Sequence, residues 1–332
     1  MKRIFTVLLA VLILCLYHPA TAGAAFEPAE QKIIDPPLDS KAPQISNDDT
    51  KGRNILESVI QWGSEMVHGF ASRNDLAGAA VDEETMTDTC KTVIDFLGCD
   101  YELYRYGENA DKLIARFADL TEQGKAAGFC PLIVIPSGTL VEKLHWIFTL
   151  EGVENTAEGI AAYRQKIVDK AQEVDAKGLL SEGLDEYMES LEKYDIDMLG
   201  EFVPFTSEGR ILLYMTLYGP YQEVVIAKIP TENPWELAAW VPMGGFNACP
   251  MPEEQVAVFR YWHESYGAAP AVVTHDIWEM TVTNPPETDE EAEALAMEQF
   301  AFCEDIVFQG TDTIRVLASI LKNGATWYFW WD

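Results

Sequence analysis

The sequence predicts an α+β fold: a mixed, partly antiparallel sheet covered by helices, with a buried C-terminal strand. Three observations carry this. "RILLYMTLYGPYQEVVIAKIP" (210–230) reads as two strands joined through Gly219-Pro220, an antiparallel hairpin signal that a regular βαβ repeat would lack. Apolar residues at helical spacing alternate with short strand-like runs, and no repeat of solenoid period is present. The sequence closes on "WYFWWD" (327–332). In a strand, Trp327, Phe329 and Trp331 face one way and Tyr328 and Trp330 the other, so both faces are apolar. Such a strand is expected in the interior, covered on both sides, with Asp332 at its exposed tip.

Residues 1–24 read as a signal peptide. Lys2 and Arg3 precede an unbroken apolar run over 4–17, and Ala20-Thr21-Ala22 and Ala22-Gly23-Ala24 offer small-x-small cleavage sites. The run falls short of the ~20 residues a membrane helix needs. Cys15 follows Leu14, which argues against lipidation. An exported protein is expected, periplasmic or extracellular, with an uncleaved anchor as the alternative. Residues 25–50 hold Pro28, Pro36, Pro37 and Pro43 and read as a flexible linker. Residues 51–86 form an N-terminal helical segment, with Ile55, Val59, Trp62, Met66 and Phe70 near one face. Residues 87–332 are the α+β domain.

Within that domain a short helix is expected over 86–96, stopped by Gly98. "YELYRY" (101–106) alternates as a strand does. A helix capped by Asn109 runs to Gly128, "CPLIVIP" (130–136) is a buried strand, and another helix covers 139–150. Two charged helices over 155–199, broken near Gly178, are read as a surface pair, with a lid as the alternative. A helix over 252–266 begins with Pro252, carries Glu253 and Glu254 in its first turn and stops at Gly267. Val256, Val258, Phe259, Trp262 and Tyr266 share its apolar face, and Arg260 and Glu264 can pair across four residues. "AVVTHDIWEMTV" (271–282) reads as two short strands around His275-Asp276. Thr288 and Glu291 form a capping box. The helix they open carries Ala292, Leu295, Ala296, Phe300 and Cys303 on one stripe. A last helix carries Ile314, Leu317, Ala318 and Leu321.

Charge narrows the function. The chain has 23 Lys+Arg against 54 Asp+Glu, a net of −31. Loss of Lys2 and Arg3 with the signal leaves 21 against 54, a net of −33. That field repels nucleic acid and anionic lipid and attracts a cationic protein or peptide. Solubility alone is the plainer explanation. After loss of Cys15, five cysteines remain: Cys90, Cys99, Cys130, Cys249 and Cys303. An odd number leaves at least one thiol unpaired within the chain, and no CxxC signals a zinc or thioredoxin-type site. HExxH, GxSxG and Walker patterns are absent. No cofactor is indicated.

Four sequence blocks carry a resemblance: "NPWELAAWVPMGGFNACP", "YWHESYGA", "EQFAFCEDIVFQG" and "WYFWWD", in that order. From about Pro230 to Asp332 the chain resembles a bacterial family known as domain of unknown function 4253. The likeness extends more weakly back through 101–136. Phe246 stands where the family often has Trp, and Ala248 where it often has an acidic or amide residue. The resemblance implies no established activity. It implies cytosolic relatives, in which Cys249 and Cys303 cannot depend on a disulfide. These two are therefore expected as packed or pocket thiols, with Cys249–Cys303 or Cys90–Cys99 disulfides as the exported alternative.

The candidate catalytic residues are His263, Glu264 and Asp305. His263 as base or metal ligand stands against a core-edge histidine with one ring nitrogen hydrogen-bonded, which is the plainer reading. Ser137-Gly138, after a strand and before a helix, is a weak anion-site signal that the overall charge opposes. Asn247, Cys249, Trp262, Gln309, Trp330 and Trp331 are the candidate ligand-binding residues, an aromatic wall with few polar groups. The expected function is non-enzymatic binding in the cell envelope, with a cationic or small-ligand partner. A hydrolase-like or metal-dependent enzyme using His263, Glu264, Asp305 and Cys249 is the alternative. A third reading is assembly through the helix near Trp62.

Overall fold

The computed structural model describes residues 86–105, 110–193, 198–204 and 223–332. The expected signal, linker and N-terminal helical segment lie outside the described residues, as does the first arm of the expected hairpin.

The described residues open with helix α1, Asp88–Leu97. Thr87 caps it by accepting from the Cys90 N–H at 3.2 Å, and Gly98 closes it in the left-handed conformation. Strand β1 is Tyr101–Arg105, helix α2 Ala110–Ala127 and strand β2 Cys130–Val134. Ser137 caps helix α3, Gly138–Thr149, by accepting from the Leu140 N–H at 3.1 Å. Helices α4, Ala157–Ala171, and α5, Ala176–Lys193, follow. The break between them falls at 172–175, ahead of the expected Gly178. Asp175 sets it, because its carboxylate accepts from the Gly178 N–H at 3.1 Å and so starts the helix that contains Gly178. Ile160, Tyr163, Ile167 and Leu180 are buried in the main core, so the pair is anchored in it.

Strand β3 is Glu223–Ile229, and a 3₁₀ turn at Pro234–Glu236 leads into the short helix α6, Leu237–Trp240. Helix α7 is Pro252–Tyr266, strand β4 Ala269–Val273 and strand β5 Ile277–Thr281. Helix α8, Asp289–Phe302, opens with the expected capping box of Thr288 and Glu291. A π-helical turn at Ile306–Thr311, helix α9, Ile314–Leu321, and strand β6, Thr326–Trp330, complete the chain.

Among the described residues, six strands form one mixed sheet in the order β1-β3-β2-β4-β5-β6. β2 and β4 are parallel, Ile133 opposite Val272, and the other neighbours are antiparallel. The α+β class is as the sequence predicts. Two strand placements differ. β3 has both edges taken, by β1 and β2. β6 lies at the sheet edge beside β5 and is no interior strand. Its Trp327 and Phe329, with Trp331 just beyond, are buried, whereas Tyr328 and Trp330 are half-buried. Tyr and Trp tolerate such positions because each joins a large apolar ring to a polar group.

The larger core lies on the sheet face covered by α1, α3, α7 and α8. Trp262 of α7 stacks on Phe329, with centroids 5.4 Å apart, and meets Phe302 edge-on at 5.1 Å. Such pairs add ~0.5–1.5 kcal/mol each beyond area burial. Leu113, Phe117 and Leu120 of α2 form a smaller core with Ile133, Ile135, Val224 and Ile226. The Thr87 N–H and hydroxyl both donate to the buried Glu223 carboxylate, which ties α1 to β3.

Candidate functional site

Parallel pairing of β2 and β4 brings their carboxyl ends to one end of the sheet. β6 ends there too, with Trp330 opposite Ile277, the first residue of β5. Three segments therefore meet: Ile135–Gly138 entering α3, the turn Thr274-His275-Asp276, and Trp331-Asp332. The Trp331 N–H donates to the Asp276 carbonyl at 3.1 Å. Ligands of open α/β sheets favour this location, outside the carboxyl ends of parallel strands.

Lys143 ties the meeting point together. From α3 its Nζ donates to the His275 carbonyl at 2.9 Å and lies 3.0 Å from the centroid of the Phe246 ring. It is half-buried, with no carboxylate among the described residues within ion-pair reach. Desolvation brings its pKa down to about 8. Cys249 and, more weakly, Asp276 act electrostatically in the opposite sense. Desolvation also lowers the His275 pKa, keeping the imidazole neutral near pH 7.

His275 Nδ1 lies 3.5 Å from Ser137 Oγ and 3.3 Å from Asp276 Oδ1. A catalytic triad needs nucleophile and acid on opposite ring nitrogens, whereas here both approach the same one. Ser137 Oγ is also held by its cap bond to α3, and Asp276 by the Thr274 hydroxyl at 2.7 Å. So arranged, His275 does not bridge Ser137 and Asp276 through its two ring nitrogens as a triad base does.

The loop 243–250 forms one side. Gln255, fully buried, donates to the carbonyls of Met243 at 2.7 Å and Pro250 at 2.9 Å, and accepts from Trp278 Nε1 at 2.8 Å. Gly244, at φ 127°, passes so close to Pro250 that a Cβ would stand 2.1 Å from its carbonyl oxygen. The loop buries Cys249 and sets Phe246 against Lys143. Burial pushes the Cys249 thiol far up, with Cys303 adding to the effect. The Cys303 thiol donates to the Trp330 carbonyl at 3.0 Å and is also raised by burial. Cys90, Cys99, Cys130, Cys249 and Cys303 are all free thiols.

Of the residues singled out from sequence, Cys249 and Trp331 line this end of the sheet, and Trp330 is half-buried beside them. Trp331 Nε1 is buried without a hydrogen-bond partner. Asn247 sits exposed at the loop tip with φ 48°. Asp305 accepts from the Gln309 side chain at 2.8 Å and from the Asp332 N–H at 3.1 Å. Trp262 belongs to the core, its Nε1 bonded to Glu298 at 2.9 Å. His263 Nδ1 donates to the Ala268 carbonyl at 2.9 Å and its ring packs 5.1 Å from Trp235. Glu264 is exposed and pairs with Arg260 at 2.9 Å.

His263, Glu264 and Asp305 are not brought together. His263 bonds next to the start of β4, where Ala269 pairs with Thr281 and Thr281 with Thr326. Asp305 holds the other end of β6. The strand between them spans ~13 Å at ~3.3 Å per residue. Among the described residues no three His, Cys, Asp or Glu side chains are placed to hold a metal ion.

Sequence reasoning weighed Ser137 weakly, read His275-Asp276 as a turn and passed over Lys143. The signal available for the first two was their position directly after strands. Nothing local marks Lys143, because its partners come from residues more than a hundred positions away.

Residues 225–332 match the family described as Domain of unknown function (DUF4253). The match runs from β3 to the C-terminal residue, the last third of the chain. No curated protein and no solved structure matches.

Proposed function

We propose that this chain, whose residues 225–332 belong to the DUF4253 family, is an exported, non-enzymatic binding protein that holds the anionic group of a small ligand between Lys143, the first turn of α3 and His275. One observation carries the reading: a half-buried ammonium with no carboxylate within ion-pair reach among the described residues, in a chain with 54 acidic residues. Removing an ammonium from water costs several kcal/mol, and one carbonyl and one ring face return only part of it. A carboxylate or phosphate arriving at Lys143 recovers that cost. The amide groups opening α3 add donors and the positive end of a helix dipole. Phe246 offers an apolar wall. The chain's overall negative charge slows an anion's approach, but screening over ~8 Å leaves the local field of Lys143 in control at the site. The shared use of His275 Nδ1 by Ser137 and Asp276 favours holding over reaction. The first 24 residues are the ground for export.

The test is thermal stabilisation by phosphate, pyrophosphate and succinate. At least one of these anions should raise the melting temperature of the wild type and leave that of Lys143→Met unmoved, while Lys143→Met folds at least as stably without ligand. No response to any anion, or an equal response in the variant, refutes the site. N-terminal sequencing of protein recovered from a secreting host should find cleavage near residue 22 or 24, and an intact N-terminus would remove the export reading.

A further inference from the structure

A second surface, on the α1 side of α3, has the opposite character. A groove of about 470 Å³ runs between α1 and α3. Phe96 and Phe148 meet edge-on at 6.1 Å beside it, and Trp146 lines it while remaining 50% exposed. Leu150, which caps the end of α3 just beyond the groove, is 77% exposed. Large apolar side chains grouped in this way at a groove mark contact sites. Asp95 on the α1 wall and Glu142 on the α3 wall place two carboxylates beside the aromatic rings. Glu142 has no ion-pair partner among the described residues. Asp95 pairs with Lys91 at 2.7 Å, but both side chains are more than 60% exposed, and such a pair is readily exchanged.

We propose that this groove docks an arginine side chain of a cationic partner peptide, stacked on Trp146 and paired with Glu142 and Asp95. Guanidinium is planar, stacks on indole and pairs bidentately with carboxylate, so it matches both features of the groove, where lysine matches only charge. The chain uses the same contact internally: Arg164 lies 3.8 Å over the Trp240 ring and 5.2 Å over Phe96. The excess of 54 acidic over 23 basic residues steers a cationic partner toward the surface. The groove and the Lys143 site use different residues, so each stands or falls separately.

The experiment is calorimetric titration of the full chain with hexa-arginine amide, hexa-lysine amide and hexa-glutamine amide at about 0.15 M salt. Hexa-arginine should bind tightest and hexa-glutamine not at all. Trp146→Ala should weaken hexa-arginine by about tenfold. Glu142→Lys should weaken it at least as much, and Glu290→Gln, on exposed α8 surface, should leave it unchanged. Trp146→Ala binding as wild type does, or Glu290→Gln losing as much as Glu142→Lys, would show attraction by overall acidity alone and overturn the site. Because Trp146 and Glu142 are exposed, both variants should fold. If Trp146→Ala does not melt cooperatively, Glu142→Lys decides on its own.

Discussion

Trp262 and Phe329 lie face to face, 5.4 Å between centroids and 8° from parallel, and so join α7 to β6 across the larger core. Both are fully buried, and Trp262 also donates to Glu298. Trp262→Ala should therefore cost about 3–5 kcal/mol of stability. Denaturant titration checks this, and a loss below about 1 kcal/mol would mean that the stack is dispensable. Deletion of 327–332 removes the whole aromatic wall and should prevent cooperative melting.

Gln255 has a distinct role, because each of its contacts fixes backbone or indole that has left water. Gln255→Leu strands the Met243 and Pro250 carbonyls and the Trp278 N–H, at ~1–3 kcal/mol for each unsatisfied group. The loop 243–250 should loosen, and Cys249 should alkylate faster than in the wild type. Mass spectrometry after timed iodoacetamide treatment reads this directly. Unchanged Cys249 labelling would show that the glycines alone hold the loop.

Glu102 should govern part of the acid response. Hydrogen bonds from Arg116, at 2.6 and 2.8 Å, hold its carboxyl down to about 2, against 4.5 ordinarily, with Tyr104 and Lys228 helping. The unfolded chain thus takes up the proton first as pH falls. The stabilisation is complete above about 4.5 and disappears as pH drops toward about 2. Urea midpoints measured across this window should fall more steeply for wild type than for Glu102→Gln. Parallel curves would place the acid sensitivity elsewhere.

The matched segment should not fold alone. Residues 225–332 contain β4, β5, β6 and most of β3, but β2 stands between β3 and β4 in the sheet. Expressed by itself, the segment lacks the strand that joins its two parts. It should show no cooperative thermal transition, and a sharp transition would refute this dependence.

Much of the fold is legible from local chemistry. Pro252 and Gly267 bound α7, the Thr288–Glu291 box opens α8, and alternation in 327–331 divides the aromatics into the two faces of a strand, though not which of the two is buried. What escapes is long-range. The edge position of β6 depends on strand order, which alternation does not encode. The placement of Lys143 at His275 depends on Ile133 pairing with Val272, and the hairpin signal at 210–230 gives no hint that β3 lies between β1 and β2. Aromatic and thiol content is the local signal that marks the neighbourhood of Cys249 and Trp331. His263 and Asp305 were grouped on residue type, and strand length separates them.

The position of β2 also sets a timetable. Its hydrogen-bonding partners, β3 and β4, begin at Glu223 and Ala269, and Thr87 finds Glu223 only 136 residues later. During synthesis at ~5–20 residues per second, "CPLIV" would wait roughly 5–20 s before either neighbour exists. Contacts this distant in sequence slow closure of the sheet. The centre of the sheet thus stays uncovered for much of synthesis, and the nascent chain is most prone to aggregation between the emergence of β2 and that of β4.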